Sequence, residues 1–428
     1  MPRLRRRSAL AAVLATATAT LGCRPLVVRA PSSAPTAPGT DLENLPWQLL
    51  TEHILQGGPN DRLGLVQAQH IFGRVARADQ FLRAGLFRVR VPANLIRLGD
   101  DGWRHERFPD GWWMEVARRM NVPFKAVLEL WPRFTNEMHA AHAARVVHRV
   151  NPDVIIIGNE LNVIDSRPGI NEEVEIQRYL DQYGAMHAAV KAASPETKIQ
   201  LYGEAYYGEP HGEQVFFRRV LTAMRQRGLP PPDIAGVHVY DHAEVIPRRV
   251  AGYRKLLAEF DLHIPISIEE LGPRSGVIDL RSETRLTEQP ATNPDQFPSR
   301  FAELRAAGWM TEAEQAELVA QHLATAAATA DQAQVFCSID FDAEIDTRRG
   351  LVSNVYGRAR PAFGSFRFLQ RLLNHTEDVH LTPAADNNGV NAVSLRRRDD
   401  ITATIVWTPP MLEDGDPSGT PSGRPRQV

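Results

Sequence analysis

Val154-Ile-Ile-Ile-Gly-Asn-Glu-Leu-Asn162 is the stretch on which the reading of this chain turns. A valine followed by three isoleucines has no polar alternation, so it fits a strand covered on both faces, as in a parallel sheet beneath helices. The run then stops abruptly at Asn159 and Glu160. Packing does not explain a glutamate there, because burying an unpaired charge costs several kcal/mol or forces it to take up a proton. Ile264-Pro-Ile-Ser-Ile-Glu-Glu-Leu-Gly272 repeats the pattern further along. Two strand ends of this kind bring a pair of carboxylates to one cleft.

Outward from these two segments the chain alternates. Strand-like runs occupy Leu63–Ala68, Leu86–Val91, Phe124–Leu130, Val154–Ile157, Lys198–Tyr202, Ile234–Tyr240, Ile264–Ile268 and Gln334–Ile339. Helical periodicity fills Val75–Ala84, Trp112–Arg119, Asn136–Arg149, Glu173–Ala193, Gly212–Arg227, Val245–Phe260 and Thr311–Ala330, and Thr311 with Glu314 has the spacing of a capping box. Eight strands alternating with helices predict an α/β fold, a (β/α)8 TIM barrel rather than an open sheet. The closing helix is expected at Pro361–Leu373, with Phe363, Phe366, Phe368 and Leu369 facing the barrel. The polar stretch from Pro273 to Gly308 is expected as a long loop at the active-site face. Ala392–Arg397 and Ile401–Trp407 read as a short C-terminal β extension, too small to fold alone, and residues after Thr408 as a disordered tail.

The 428 residues are 43% hydrophobic and 23% charged, with a net charge of −2. Without residues 1–22, which hold four of the 49 basic residues and none of the 51 acidic ones, the balance becomes 45 against 51. Nothing in that balance suggests nucleic acid or an anionic membrane surface as the main partner. Arg3, Arg5, Arg6 and Arg7 precede a short Ala/Val/Leu/Thr run, the layout of a bacterial export signal and too short for a membrane span. Leu21-Gly22-Cys23 resembles the end of a lipoprotein signal, although Thr20 stands where leucine is expected; lipidation and simple cleavage both stay open. The expected organisation is a signal at 1–22, a flexible linker at 23–45, a catalytic barrel at 46–375 and the β extension with its tail at 376–428. The expected location is outside the cytoplasm: secreted, periplasmic, or held at the cell envelope by a lipid on Cys23. Cys337, the other cysteine, reads as a small core residue.

In parallel barrels, chemistry sits at the carboxyl ends of the strands. In strand order, the polar and aromatic residues there are His70; Arg90; Glu129 and Trp131; Asn159 and Glu160; Glu204, Tyr206 and Tyr207; His238, Tyr240 and Asp241; Glu269 and Glu270; and Asp340 and Asp342. Such a mixture suits a sugar, whose hydroxyls donate to carboxylates and whose apolar faces pack on aromatic rings. A metal-dependent hydrolase would call for a His-x-His pair on the first strand; the residues there are Gln67-Ala-Gln-His70, so no metal and no cofactor are expected. On the seventh strand, alternation leaves open whether Glu269 or Glu270 faces the cleft. Neighbouring residues point to opposite faces, and one of the two choices sends Ser267 and Glu269 toward the helices.

Gly158-Asn-Glu-Leu161 and Glu269-Glu-Leu-Gly272 resemble the signature of the clan A retaining glycoside hydrolases. Gly85-Leu-Phe-Arg-Val-Arg-Val-Pro92 is similar to that clan's second strand, with Arg90 as its arginine, and Val237-His-Val-Tyr240 is similar to the sixth. The resemblance covers roughly residues 60–375. It implies double displacement on a β-linked oligo- or polysaccharide, with Glu160 as acid/base and Glu270, two before Gly272, as nucleophile. Arg90, Asn159, His238, Tyr240, Trp131 and His70 are the implied substrate-binding set. Phe336-Cys-Ser-Ile-Asp-Phe341 departs from the clan, whose eighth strand commonly ends in tryptophan; Phe341 or Asp340 stands in its place. The competing expectation is a non-catalytic secreted barrel that binds glycans without cleaving them.

Overall fold

The computed structural model describes residues 63–66, 89–92, 96–97, 103–104, 124–128, 130, 134–162, 171–206, 214–240, 242–272, 277–278, 297–306, 308–336, 350–351, 359–373, 376–387, 389–398 and 402–408. The arginine-rich leader, Cys23, the linker, Cys337 and the tail after residue 408 lie outside them. So do the helices expected at Val75–Ala84 and Trp112–Arg119.

Eight parallel strands form the centre of the fold: β1 (Leu63–Val66), β2 (Val89–Pro92), β3 (Phe124–Leu128), β4 (Val154–Ile157), β5 (Lys198–Tyr206), β6 (Ile234–Val239), β7 (Ile266–Leu271) and β8 (Gln332–Val335). Strands adjacent in sequence pair in space. The sheet curls far enough that β1 pairs with both β2 and β8, Leu63–Leu65 opposite Ala333–Val335. Six helices follow β3 to β8 in an α/β alternation: α1 (Asn136–Val150), α2 (Glu172–Ala193), α3 (Val215–Gln226), α4 (Val245–Glu259), α6 (Glu312–Thr329) and α7 (Pro361–Leu373). An additional helix, α5 (Phe297–Ala306), lies within the stretch expected as a long loop. A two-residue strand at Val277–Ile278 in the same stretch pairs with Met310–Thr311.

Burial on both faces of β4 follows from its four apolar residues. Ile155 and Ile157 join the large core beneath the helices, with Tyr179, Tyr183 and Val147. Val154 and Ile156 point the other way and pack with Val127 and Ile234 from β3 and β6, inside the curled sheet. Each such side chain contributes roughly 1.5–3 kcal/mol by leaving water. The predicted capping box holds α6: Thr311 Oγ1 accepts from Glu314 N–H at 3.2 Å and Glu314 Oε2 accepts from Thr311 N–H at 2.7 Å. One expectation about α7 fails. Phe363, Phe366 and Leu369 are buried, but Phe368 is 47% exposed. At about 100° per residue it sits on the far side of the helix from Phe366.

The C-terminal extension has three strands, not two. β9 (Thr376–Thr382), β10 (Asn391–Arg397) and β11 (Thr402–Trp407) form an antiparallel sheet in sequence order. Val393 and Trp407 pack on Ala324 of α6. Glu244, just before α4, accepts hydrogen bonds from Asn391 Nδ2 and Trp407 Nε1, both at 3.0 Å. The sheet is therefore docked on the helices, as a three-stranded ribbon of this size needs to be.

Candidate active site

Two left-handed residues end β4, Gly158 at φ +86° and Glu160 at φ +47°. Glycine takes that conformation freely, whereas a glutamate there costs on the order of 1 kcal/mol and needs its surroundings to hold it. Four hydrogen bonds do so. Glu160 N–H donates to Gly203 O at 3.1 Å, and Gly158 N–H donates to Leu128 O at 2.9 Å. Asn162 then spans to β5, its Nδ2 donating to Ala205 O at 2.5 Å and its Oδ1 accepting from Ala205 N–H at 3.0 Å. The Glu160 carboxylate is thereby fixed at the mouth of the curled sheet. Asn159 beside it is exposed.

β6 supplies the groups between the carboxylates. His238 Nδ1 and Glu160 Oε1 share a 2.8 Å hydrogen bond, and the same nitrogen lies 3.7 Å from Glu270 Oε2. Tyr240 O–H donates to Glu270. One polar atom from each of Glu160, His238 and Glu270 lies within 4.8 Å of the others. That spacing would also admit a cation, although the His238 nitrogen nearest both carboxylates is engaged with Glu160. The Glu270 side chain is 8% exposed and that of Glu160 20%, so the first is sheltered and the second opens toward solvent. Tyr240 also makes edge-on contact with Phe336 beyond β8, ring centroids 5.7 Å apart. The His238 ring fills the space left by Gly203 of β5, where a Cβ would lie 2.0 Å from its Nε2.

The ambiguity on β7 is resolved by a bulge. Ile268 pairs with Val237 and Glu270 with His238, so β7 carries one extra residue against β6. The pairing with β8 shows the same insertion, Ala333 opposite Ile268 and Val335 opposite Leu271. A bulge re-aims side chains and is common beside functional sites. Strict alternation allows one of Glu269 and Glu270 to face inward; here both do, at different depths. Lys125 Nζ donates to Glu269 Oε1 at 2.9 Å, Ser267 Oγ at 2.9 Å and Gln200 Oε1 at 3.1 Å. β3 and β7 lie on opposite sides of the eight-strand order, so this bond crosses the interior. The Gln334 amide of β8, turned so that its NH2 faces the carboxylate, lies 3.3 Å from the same oxygen. Ser267 and Glu269 thus face the polar interior rather than the helices. Lys125 and Glu269 are both fully buried. Barrels are ordinarily filled by branched apolar side chains, and a buried ion pair is rarely more stabilising than an apolar filling.

Other expected positions divide three ways. Glu204 points away from the mouth, into the helical layer, where it accepts from Phe217 N–H at 3.2 Å and from Tyr253 O–H. A bulge on β5 between Gln200 and Gly203 sets that direction. Arg90 is on β2, paired with Val66 and Lys125, and Tyr206 ends β5. His70, Glu129, Trp131, Tyr207, Asp241, Asp340, Phe341 and Asp342 lie outside the described residues. Sequence reasoning missed Lys125, Gln200, Gly203 and Asn162. Lys125 did leave a signal, a single cation within Phe124-Lys-Ala-Val-Leu128.

No protein-family model matches this chain, and no curated protein matches it by sequence. Solved structures do. A glucosidase from Croceicoccus marinus superposes with a TM-score of 0.56 at 12% identity, covering 82% of each chain. A family 39 glycoside hydrolase from Bacteroides cellulosilyticus gives 0.52 at 13% identity, over 82% of this chain and 71% of that one. The polypeptide described here therefore shares its fold with solved glycoside hydrolases.

Proposed function

We propose that the chain is a retaining glycoside hydrolase built on a complete (β/α)8 barrel and acting on a β-linked glycan. The observation that carries this reading is the approach of Glu160 and Glu270 within 4.8 Å across the mouth of the sheet. Double displacement needs carboxyl groups about 5–5.5 Å apart, whereas inverting enzymes leave roughly 6.5–9.5 Å for a water between them. The fold shared with solved glycosidases and the order of the four motifs support the same reading.

In the first step Glu270, ionised and oriented by Tyr240, attacks the anomeric carbon. Glu160 gives its proton to the departing glycosidic oxygen, and a glycosyl ester forms on Glu270. In the second step Glu160 takes a proton from water, which attacks the same carbon and releases Glu270 as a carboxylate. His238 Nδ1–H donates to Glu160 Oε1 and leaves Oε2 to carry the mobile proton. Arg90 favours the ionised nucleophile, Asn159 binds the hydroxyl beside the anomeric carbon, and Trp131 and His70 line the sugar subsites. The arginine-rich leader and Cys23 support a location at or beyond the cell envelope.

The test uses the full chain and a panel of 4-methylumbelliferyl β-glycosides. Wild type should turn over at least one member, with Glu160→Ala and Glu270→Ala each reducing kcat/KM by more than about 1,000-fold. Undiminished turnover in either folded variant would refute the assigned roles. Saccharide binding by wild type without any turnover would favour the non-catalytic barrel.

A further inference from the structure

The Lys125–Glu269 pair has no part in the mechanism above, yet one of its members is the residue next to the nucleophile. Glu269 precedes Glu270 in the bulge, and Lys125 reaches it across the interior from the opposite strand. Both side chains are fully buried, so the charges act on their surroundings with little screening by water. Ser267 and Gln200 accept from the same ammonium and hold it in place.

We propose that Lys125 and Glu269 are a positioning pair for Glu270: the salt bridge pins the bulge that aims Glu270 at the mouth, and Lys125 neutralises the adjacent carboxylate so that Glu270 stays ionised. This inference rests on Glu270 being the nucleophile. Two neighbouring carboxylates without a cation resist ionising together, and one of them holds its proton to higher pH. Among the described residues, the groups around Glu270 are His238 on β6, Tyr240 just after it, Glu160 beyond β4 and the neighbouring Glu269 on β7, to which Lys125 of β3 is bound. Of these, Lys125 is the permanent cation; Arg90 on β2, assigned the same effect above, is unchanged in every variant compared below, so it leaves the direction of each shift as it is. The arrangement also accounts for a charged pair where apolar side chains would fill the space at less desolvation cost.

The experiment is the pH profile of kcat/KM on whichever 4-methylumbelliferyl β-glycoside wild type hydrolyses fastest. Its acidic limb reports ionisation of the nucleophile in the free enzyme. Glu269→Gln removes a negative charge next to Glu270 and leaves that of Lys125 in place, so the limb should move to lower pH, on the order of one pH unit. Lys125→Met removes the cation and leaves Glu269 beside Glu270, so the limb should move to higher pH. The double variant, with neither charge, should return it close to wild type. A pair that merely filled space would lower thermal stability without displacing the limb. A folded Glu269→Gln enzyme whose acidic limb coincides with wild type overturns the proposal. Should that variant fail to fold, an unmoved or downward-shifted limb in Lys125→Met overturns it instead. Glu270→Ala separates the two readings: if it retains turnover the nucleophile assignment fails, whereas if it is inactive while the limbs stay in place this inference fails by itself.

Discussion

Gly203→Ala probes the coupling between β5, His238 and the acid. An alanine Cβ there would lie 2.0 Å from His238 Nε2, 2.3 Å from Cδ2 and 2.9 Å from Cε1. Ordinary contact between such atoms begins near 3.5 Å, so the ring must retreat by about 1.5 Å. A flexible side chain at the surface would absorb that. His238 is fully buried, and its other nitrogen is bonded to Glu160 at 2.8 Å. Overpacking of this kind costs about 1–3 kcal/mol of stability. Misplacing a catalytic group by about 1 Å costs roughly 100-fold in rate. Gly203→Ala should therefore melt several degrees below wild type and lose about 100-fold in kcat on an aryl β-glycoside, with KM changing far less. The double variant Gly203→Ala/His238→Ala removes the ring that clashes. It should recover much of the melting temperature and none of the activity. A Gly203→Ala enzyme with wild-type kcat would refute the reasoning, because the histidine would then be free to move without consequence for Glu160.

Two further expectations separate structural from catalytic carboxylates and buried from exposed rings. Glu204→Gln should lower stability by about 1–2 kcal/mol, since it weakens the charged acceptor of Phe217 N–H and Tyr253 O–H, and leave kcat/KM at wild type; a large loss of turnover would return Glu204 to the site. Phe366→Ala should cost about 3–5 kcal/mol in urea unfolding and Phe368→Ala less than about 0.5 kcal/mol, as Phe366 is buried and Phe368 exposed; equal effects would contradict the assignment of α7's inner face.

The sequence disclosed strands such as Val154–Ile157 and Ile234–Val239 because each is a contiguous apolar run, whereas β8, Gln332-Ala-Gln-Val335, alternates with glutamine and begins two residues before the expected Gln334. Val154–Ile157 is bounded in the structure as the pattern predicts. The same contiguity hid the bulges. An inserted residue on β7 or β5 changes no residue type, so counting in twos from Ile266 gives the wrong face for Glu270 and from Lys198 for Glu204. The bulges are visible in the pairing registers alone. Gly203 and Asn162 were silent for a related reason: their roles are contacts with residues 35 and 43 positions away, His238 and Ala205. The third strand of the extension, Thr376–Thr382, escaped because its alternation is weak and both ends of it are polar. Glu160 and Glu270 were legible because a carboxylate ending an apolar strand has few structural excuses.

The most direct test of the whole account is covalent trapping. The 2-deoxy-2-fluoro derivative of the hydrolysed glycoside, carrying a good leaving group, should inactivate the full-length enzyme by forming a stable glycosyl ester. Mass spectrometry of the digested protein should then find the sugar on Glu270. A label on Glu269 or any other residue, or inactivation by no covalent label at all in an enzyme that turns over the parent glycoside, would contradict it.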